Sequence, residues 1–514
     1  MTAASPIMAG PGLDAEQLAM RAGGSWHGDR PVTGRISTIE IDSRKSDPGS
    51  LFVALPGASA DGHDFIAAAA GTGAAAALVA HPDPACNLPQ LVVPDVKPAL
   101  DRLGIAGRTA HRAAGGRLAG ITGSVGKTGS KEMLAHLLHR VVAPAENSAG
   151  NSAGNGAGCV ASRASFNNHL GVPMTLAMLP DAPLPAIQEM GMNAPGEISQ
   201  LSQMARPDVA VITCIADSHA GFFDSLADIA AAKGEIFDGM ASGGTAILNR
   251  DDAFFDALAA QARAAGITDI VTFGSHEEAD YRLKDITPTA SGQKLSASLR
   301  GTDLQSVLGM RNAHWAHNAM AVLAAVDALG FDAVRAADEL HDFNDLPGRG
   351  AQTNGRLGNC QITLIDDSYN AGPRSMHAAL VGLHSIAPQI LVLSDMLELG
   401  EGSAAAHTML APPILALRPR IIITIGPDMS RMAADLPCLA ALHVAAATPE
   451  EAITSLHDLA RNGDTIFIKG SLGSGSWRVA KSVLDGFAHT PSRPSSRPTS
   501  LSTAGNTGDS NNAA

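Results

Sequence analysis

The sequence predicts an α/β protein of three domains built on parallel sheets. At roughly 150 residues per domain, a chain of 514 residues has room for about three large cores. Short apolar runs alternate with helical patterns along most of its length, the rhythm of βαβ units rather than of an all-β or all-α fold. In the middle, RLAGITGSVGKTGSKEMLAHLL reads as a strand, a glycine turn and a helix.

Taken in order, a first block to about residue 115 holds strand-like STIEI and SLFVAL and an alanine-rich helix after DGHDF. A second, 116–346, opens at the glycine turn and continues through strand-like AIQEM and VAVITCI. A third, 347–488, begins after LPGRG and repeats a strand, turn and helix pattern with ITLIDD, ILVLSD, IIITIG and TIFIKG. That is a Rossmann-like rhythm without the GxGxxG fingerprint. Residues 489–514 turn to Ser, Pro, Thr and Asn, too few apolar groups to offset ordering entropy, so a disordered tail is expected. Its removal should leave activity and melting temperature nearly unchanged; a melt lowered by several degrees would mean that the tail docks. NSAGNSAGNGAG at 147–158 is expected to be a flexible surface loop.

Composition narrows the function. Apolar residues make up 45% of the chain, charged ones 17% and aromatic ones 4%, with 53 glycines, which is the balance of an alanine-rich globular protein. Lys and Arg total 36 against 50 Asp and Glu, a formal charge of −14. A broad grip on nucleic acid or anionic lipid is therefore disfavoured, and an anionic substrate must be held by local groups. Cys86, Cys159, Cys214, Cys360 and Cys438 are scattered without a CxxC pair, as expected of reduced thiols. The N-terminus lacks the basic and apolar regions of a signal peptide, and Phe65 to Ala80 is broken by Gly71, Thr72 and Gly73. The expectation is a cytoplasmic monomer with small-molecule substrates and no membrane span.

The chemistry concentrates in a few places. Gly123, Ser124, Gly126, Lys127 and Thr128 lie between the Leu118 to Thr122 strand and the following helix, where backbone N–H groups can cradle a polyphosphate. Lys127 would reach the β and γ phosphates and Thr128 would hold Mg²⁺; Ile121 stands where the strict GxxxxGK[ST] pattern has glycine, so a structural turn is the alternative. In SLADIAAAKGEIF, Lys233 shares the helical face of Leu226, Ile229, Ile236 and Phe237, with Ser225 and Asp228 as a capping box. It is thus placed to be buried, unless it snorkels near the helix end. Glu189 ends the strand AIQEM and His219 follows VAVITCI, so both would lie at the carboxyl edge beside the loop, as ligands of a second Mg²⁺ or as satisfied polar residues.

The chain resembles the Mur ligases, the ATP-dependent amide-forming enzymes of peptidoglycan precursor synthesis. The resemblance rests on DSRKSDPGSLFVALPG with DGHDF, TGSVGKT, FNNHLGVPMTL, EMGMNAPGEI, SHAGFFDSLADIAAAKGEIF, HNAMAVLAAV, LPGRG, DDSYNAGPRSM, SDMLELG and IKGS, and covers roughly residues 35–488. It is strongest to the branch that adds D-alanyl-D-alanine to a UDP-N-acetylmuramoyl-tripeptide through an acyl phosphate. It implies an N-terminal UDP-sugar-binding domain, a central P-loop-type ATPase domain and a C-terminal Rossmann-like ligase domain that close together. It also implies ATP, two Mg²⁺ ions and a carbamylated Lys233 that shares a metal with Glu189 and His219. Asn318 matches an adenine-side asparagine and Arg349 a nucleotide-contacting arginine. Asp366, Asp367, Tyr369 and Asn370 match the segment that closes on nucleotide and amine, and Ser43 and Arg44 the UDP-sugar segment. The chain departs from the family pattern at Ala194, Gly372 and Gly475-Ser476-Trp477, which touches fine substrate contacts. Rival readings are the family member that adds the third, diamino residue, although no DNPR-type stretch is present, a P-loop switch without ligation, and a degenerate relative that only binds.

Overall fold

The computed structural model describes residues 12–488 apart from 30, 58–59, 143–157, 164–165, 217–222, 224, 290–291, 345, 385 and 441. The tail, His219 and all of the 147–158 loop except Gly158 lie outside the described residues.

Three sheets carry the chain. The first runs in the order Ser25–Trp26, Gln90–Val92, Ala76–Val79, Ser50–Val53, Thr38–Glu40, parallel except for the antiparallel edge at Ser25–Trp26. Its core joins Leu18, Leu51, Leu78 and Leu100 to Met174 and Ala177, which belong to the neighbouring unit. The helix Val96–Ala113 presses so closely on Gly171–Ala177 that a Cβ at Gly107 would stand 2.2 Å from the Leu176 carbonyl oxygen. Only glycine permits that approach.

The middle sheet places Arg117–Thr122 between Val209–Ile212 and Pro185–Glu189, all parallel, with Val160–Ala161 at one edge. Helices cover both faces. Lys127–Val141 and His314–Ala328 share one core, while Glu197–Ala205 and Leu226–Gly234 share the other. Met133, Leu134, Leu137 and Leu138 are fully buried on the first face, each worth about 1.5–3 kcal/mol of transfer from water.

Toward its far edge the middle sheet departs from the parallel expectation. Tyr281–Thr289, Gly292–Leu299 and Thr302–Leu308 form an antiparallel meander. The last hairpin turns through Arg300 and Gly301, both at positive φ (46° and 86°), a two-residue turn that follows the right-handed twist of the strands.

The third sheet runs Ala351–Leu357, Cys360–Asp367, Thr465–Lys469, Ile390–Ser394, Ile421–Ile425, His443–Ala446, with only the first pair antiparallel. Among the described residues, no helix is long and apolar enough to cross a membrane.

Candidate active site

The glycine turn closes on the adjoining strand and opens toward the sheet edge. Gly123 sits at φ 141°, and a Cβ there would meet Thr213 Oγ1 at 1.9 Å, so no other residue fits. Gly126 caps the helix Lys127–Val141 in the left-handed region, with Asn318 3.2 Å from where its Cβ would be. Asn318, expected on the adenine side, therefore borders the loop. The Ser124 hydroxyl is occupied, accepting the Ala216 N–H and donating to the Ala216 carbonyl, each at 2.9 Å; only its backbone is left to face a ligand. Lys127 folds back over the turn, donating to the Gly123 carbonyl at 2.5 Å and the Ser124 carbonyl at 3.3 Å. Burial pulls its ammonium below the ordinary lysine range, Arg349 adds to the fall, and Glu189 and Cys214 oppose it. Thr128 is half-buried on the first turn of the same helix.

Lys233 is 1% exposed, which removes the snorkelling alternative. Its helix is shorter than the periodicity predicts. It ends at Gly234, where a Cβ would collide with Gln261 at 2.0 Å, and Ile236 and Phe237 lie in a 3₁₀ turn, buried nonetheless. At the other end, the Ser225 hydroxyl accepts the Asp228 N–H and donates to the Asp228 carboxylate. No hydrogen bond reaches the Lys233 ammonium among the described residues, and burial, together with the nearby Lys127 ammonium, drives its pKa well below the usual value.

Glu189 is the last residue of its strand and 1% exposed. Its Oε1 accepts from Asn167 Nδ2 at 2.8 Å, while Oε2 is buried with no hydrogen-bond partner. An orphaned carboxylate oxygen within electrostatic reach of the Lys127 ammonium suits a cation. No cluster of three His, Cys, Asp or Glu is assembled among the described residues. Asn167 was not singled out from the sequence, although FNNHLGVPMTL contains it; its main chain also accepts the Gly191 N–H at 2.8 Å.

The third sheet presents its carboxyl edge to this loop. Arg349 stacks on Tyr369 with its guanidinium carbon 4.1 Å from the ring centre. Asp366 is turned inward: Oδ2 accepts the Gly348 N–H at 3.0 Å and Oδ1 accepts from the Ser368 N–H and hydroxyl at 3.1 and 2.6 Å, fixing the LPGRG turn. Asp367 instead pairs with Lys469 at 2.8 Å; burial pushes its carboxyl up and Lys469 opposes this. Lys469 also donates to the Asn370 carbonyl at 3.0 Å. It is a second residue that sequence reasoning passed over, though IKGS contains it. Arg374 crosses to the middle unit, donating to the Ile215 carbonyl at 3.4 Å.

The remaining expected residues stand apart from this edge. Ser43 is buried, its carbonyl accepting from the Thr72 hydroxyl at 2.7 Å; Arg44 is 86% exposed and holds Asp42 through two nitrogens, which lowers the Asp42 carboxyl to about 2. In DGHDF, His63 accepts the Ala80 N–H at 2.9 Å and pairs with Asp61 at 2.7 Å. Ala194 and Trp477 are exposed, and Gly372 caps the helix Pro373–Gly382.

Three family profiles match: "Mur ligase family, catalytic domain" over residues 35–108, "Mur ligase middle domain" over 121–326 and "Mur ligase, glutamate ligase domain" over 354–472. The curated UDP-N-acetylmuramoyl-tripeptide–D-alanyl-D-alanine ligase of Rickettsia prowazekii is 32% identical over 438 residues, 85% of this chain and 92% of the relative. That of Escherichia coli K12 is 33% identical over 395 residues, 76% and 81% of the two chains. Among solved structures, the UDP-N-acetylmuramoylalanyl-D-glutamyl-2,6-diaminopimelate–D-alanyl-D-alanyl ligase of Acinetobacter baumannii superposes with a TM-score of 0.75 at 28% identity, covering 94% of this chain and all of that one.

Proposed function

The chain belongs to the Mur ligase family, and on that premise we propose that it uses ATP to join D-alanyl-D-alanine to a UDP-N-acetylmuramoyl-tripeptide in peptidoglycan precursor synthesis. The relatives that carry this activity in their names support it over most of both chain lengths. The observation that carries the chemistry is Lys127 at the edge of the middle sheet, within electrostatic reach of Lys233, Glu189 and Arg349, with Arg349 in turn within reach of the Asp367–Lys469 pair of the third sheet. In this reading residues 1–115 hold the UDP-sugar end through Ser43 and Arg44, 116–346 hold ATP, and 347–488 hold the incoming amine. In this reading the enzyme works in the cytoplasm.

A carboxylate and an amine do not condense in water unaided. The acceptor carboxylate attacks the γ phosphorus, ADP leaves, and an acyl phosphate forms. The turn's N–H groups and the start of the helix Lys127–Val141 orient the polyphosphate, and Lys127 exchanges the Gly123 carbonyl for the phosphate oxygens as charge moves. Thr128, Glu189, His219 and a carbamylated Lys233 would hold Mg²⁺, two ions in all, whose charge offsets that of the phosphates. The free amine of D-alanyl-D-alanine then attacks the acyl carbon, and phosphate departs from the tetrahedral intermediate. Asp366 keeps the LPGRG hinge in shape, and Arg349, Asp367, Tyr369 and Asn370 close over nucleotide and amine, excluding water from the acyl phosphate. Phosphate release should require ATP and both co-substrates. Equal release with ATP alone would return the chain to the switch reading.

A further inference from the structure

We propose that Glu40 and Arg163 form a subsite that reads the far end of a 2,6-diaminopimelate residue in the acceptor peptide, an inference that rests on the ligase reading above. Glu40 ends the strand Thr38–Glu40 of the first sheet, and Arg163 lies two residues beyond the edge strand Val160–Ala161 of the middle one. Their side chains meet across the seam, Nη1 to Oε1 at 2.5 Å, with the carboxylate 12% and the guanidinium 37% exposed. Beside them a small cleft, open to solvent, is lined by Arg163 itself with Ile39, Val160, Phe166, Met174 and Met178.

The seam lies between the two ends that the acceptor must reach. Glu40 is three residues from Ser43. On the other side, Ser162, next to Arg163, accepts the Glu189 N–H on its hydroxyl at 3.3 Å. A peptide held at its sugar end by the first unit and at its reacting carboxylate by the phosphate loop therefore passes this pair.

The chemistry of the pair matches one side chain. Diaminopimelate ends in a second amino-acid centre, an ammonium and a carboxylate on one carbon, reached through methylenes. Glu40 would take the ammonium, Arg163 the carboxylate in forked geometry, and the apolar wall the methylenes. In the absence of ligand the two charges satisfy each other, avoiding the cost of an uncompensated buried ion. Burial raises the Glu40 carboxyl and Arg163 opposes the rise, so an arriving ammonium would meet a partly desolvated acceptor. A lysine side chain offers only the ammonium, which would engage Glu40 and leave Arg163 without its anion. Sites built around a charged partner discriminate strongly against analogues that lack it.

The test measures phosphate release with ATP, Mg²⁺ and D-alanyl-D-alanine on three acceptors, ending in diaminopimelate, in diaminopimelate amidated at its distal carboxylate, and in lysine. In the wild type, amidation and replacement by lysine should each lower kcat/KM about tenfold or more, mainly through KM. In Arg163→Met the three acceptors should converge to within about threefold, and Arg163→Lys should recover part of the preference; a merely structural ion pair would not couple to substrate amidation in this way. Should Arg163→Met not fold, the wild-type comparison and Arg163→Lys still decide. Equal kcat/KM for all three acceptors in the wild type, or the same amidation loss in wild type and variant, overturns the subsite. Turnover of no acceptor by the wild type sinks the ligase reading itself.

Discussion

Lys127→Ala is expected to lower turnover on the order of 10²-fold or more. In the structure the ammonium is folded onto the Gly123 and Ser124 carbonyls, at 2.5 and 3.3 Å, groups that a bound polyphosphate would displace in the proposed reaction. Its partial burial means that little water competes for it, and the attraction to phosphate grows as negative charge accumulates on the transferring group. Because that attraction is greatest in the transition state, kcat should fall more than KM rises. Fold damage is a weak explanation for such a loss. Lys127 is the first residue of its helix, and the core beneath is made by Met133, Leu134, Leu137 and Leu138. A thermal melt should therefore stay within a few degrees of the wild type. Near wild-type turnover by the purified variant would mean that the turn holds something other than the reacting phosphates.

The parts of this molecule that were legible in the sequence are those whose chemistry is local. The glycine turn announces itself because strand, turn and helix are contiguous, and the burial of Lys233 follows from its spacing to Ile229 within one helix. What escaped depends on distant neighbours. Asn167 matters because it lies against Glu189, 22 residues along, and Lys469 because it lies against Asp367, about a hundred residues back in the chain. The different partners of Asp366 and Asp367 cannot be told from composition, since the approach of Gly348 and Ser368 to the one and of Lys469 to the other decides what each carboxylate holds. The antiparallel meander carried a readable signal, the alternation of Leu295, Ala297 and Leu299 with polar residues ahead of Arg300-Gly301. The βαβ rhythm of the flanking segments overrode it. Likewise the helical periodicity through Phe237 overran the true helix end, because burial continues into the 3₁₀ turn after the hydrogen-bonding pattern changes.

Lys233→Arg should be nearly inactive, a loss of at least about 10²-fold, although it preserves the positive charge. The argument starts from cost. A lysine 1% exposed, with no hydrogen bond to its ammonium among the described residues and the Lys127 ammonium nearby, is an expensive cation. Between its depressed folded pKa and the ordinary lysine value, the unfolded chain binds one proton more than the folded chain. The unmodified site therefore costs stability near neutral pH, and the cost fades as pH rises. The neutral amine that burial favours is also a nucleophile. Its lone pair attacks CO₂, an N–C bond forms, one proton leaves to solvent, and the cation has become a carbamate anion. That sign change removes the repulsion with Lys127 and supplies a carboxylate-like group near the loop, of a kind suited to hold a metal. Arginine cannot follow, since its guanidinium stays protonated. Lys233→Glu, a shorter fixed carboxylate, should retain a little activity where arginine retains almost none. Removing dissolved CO₂ should lower wild-type activity and bicarbonate should restore it, with no effect on Lys233→Glu. Crystals grown near neutral pH should show a planar three-atom extension on the amine. A bare ammonium in that density together with an active arginine variant would leave Lys233 as a buried structural lysine and the metal to Glu189, His219 and the phosphates.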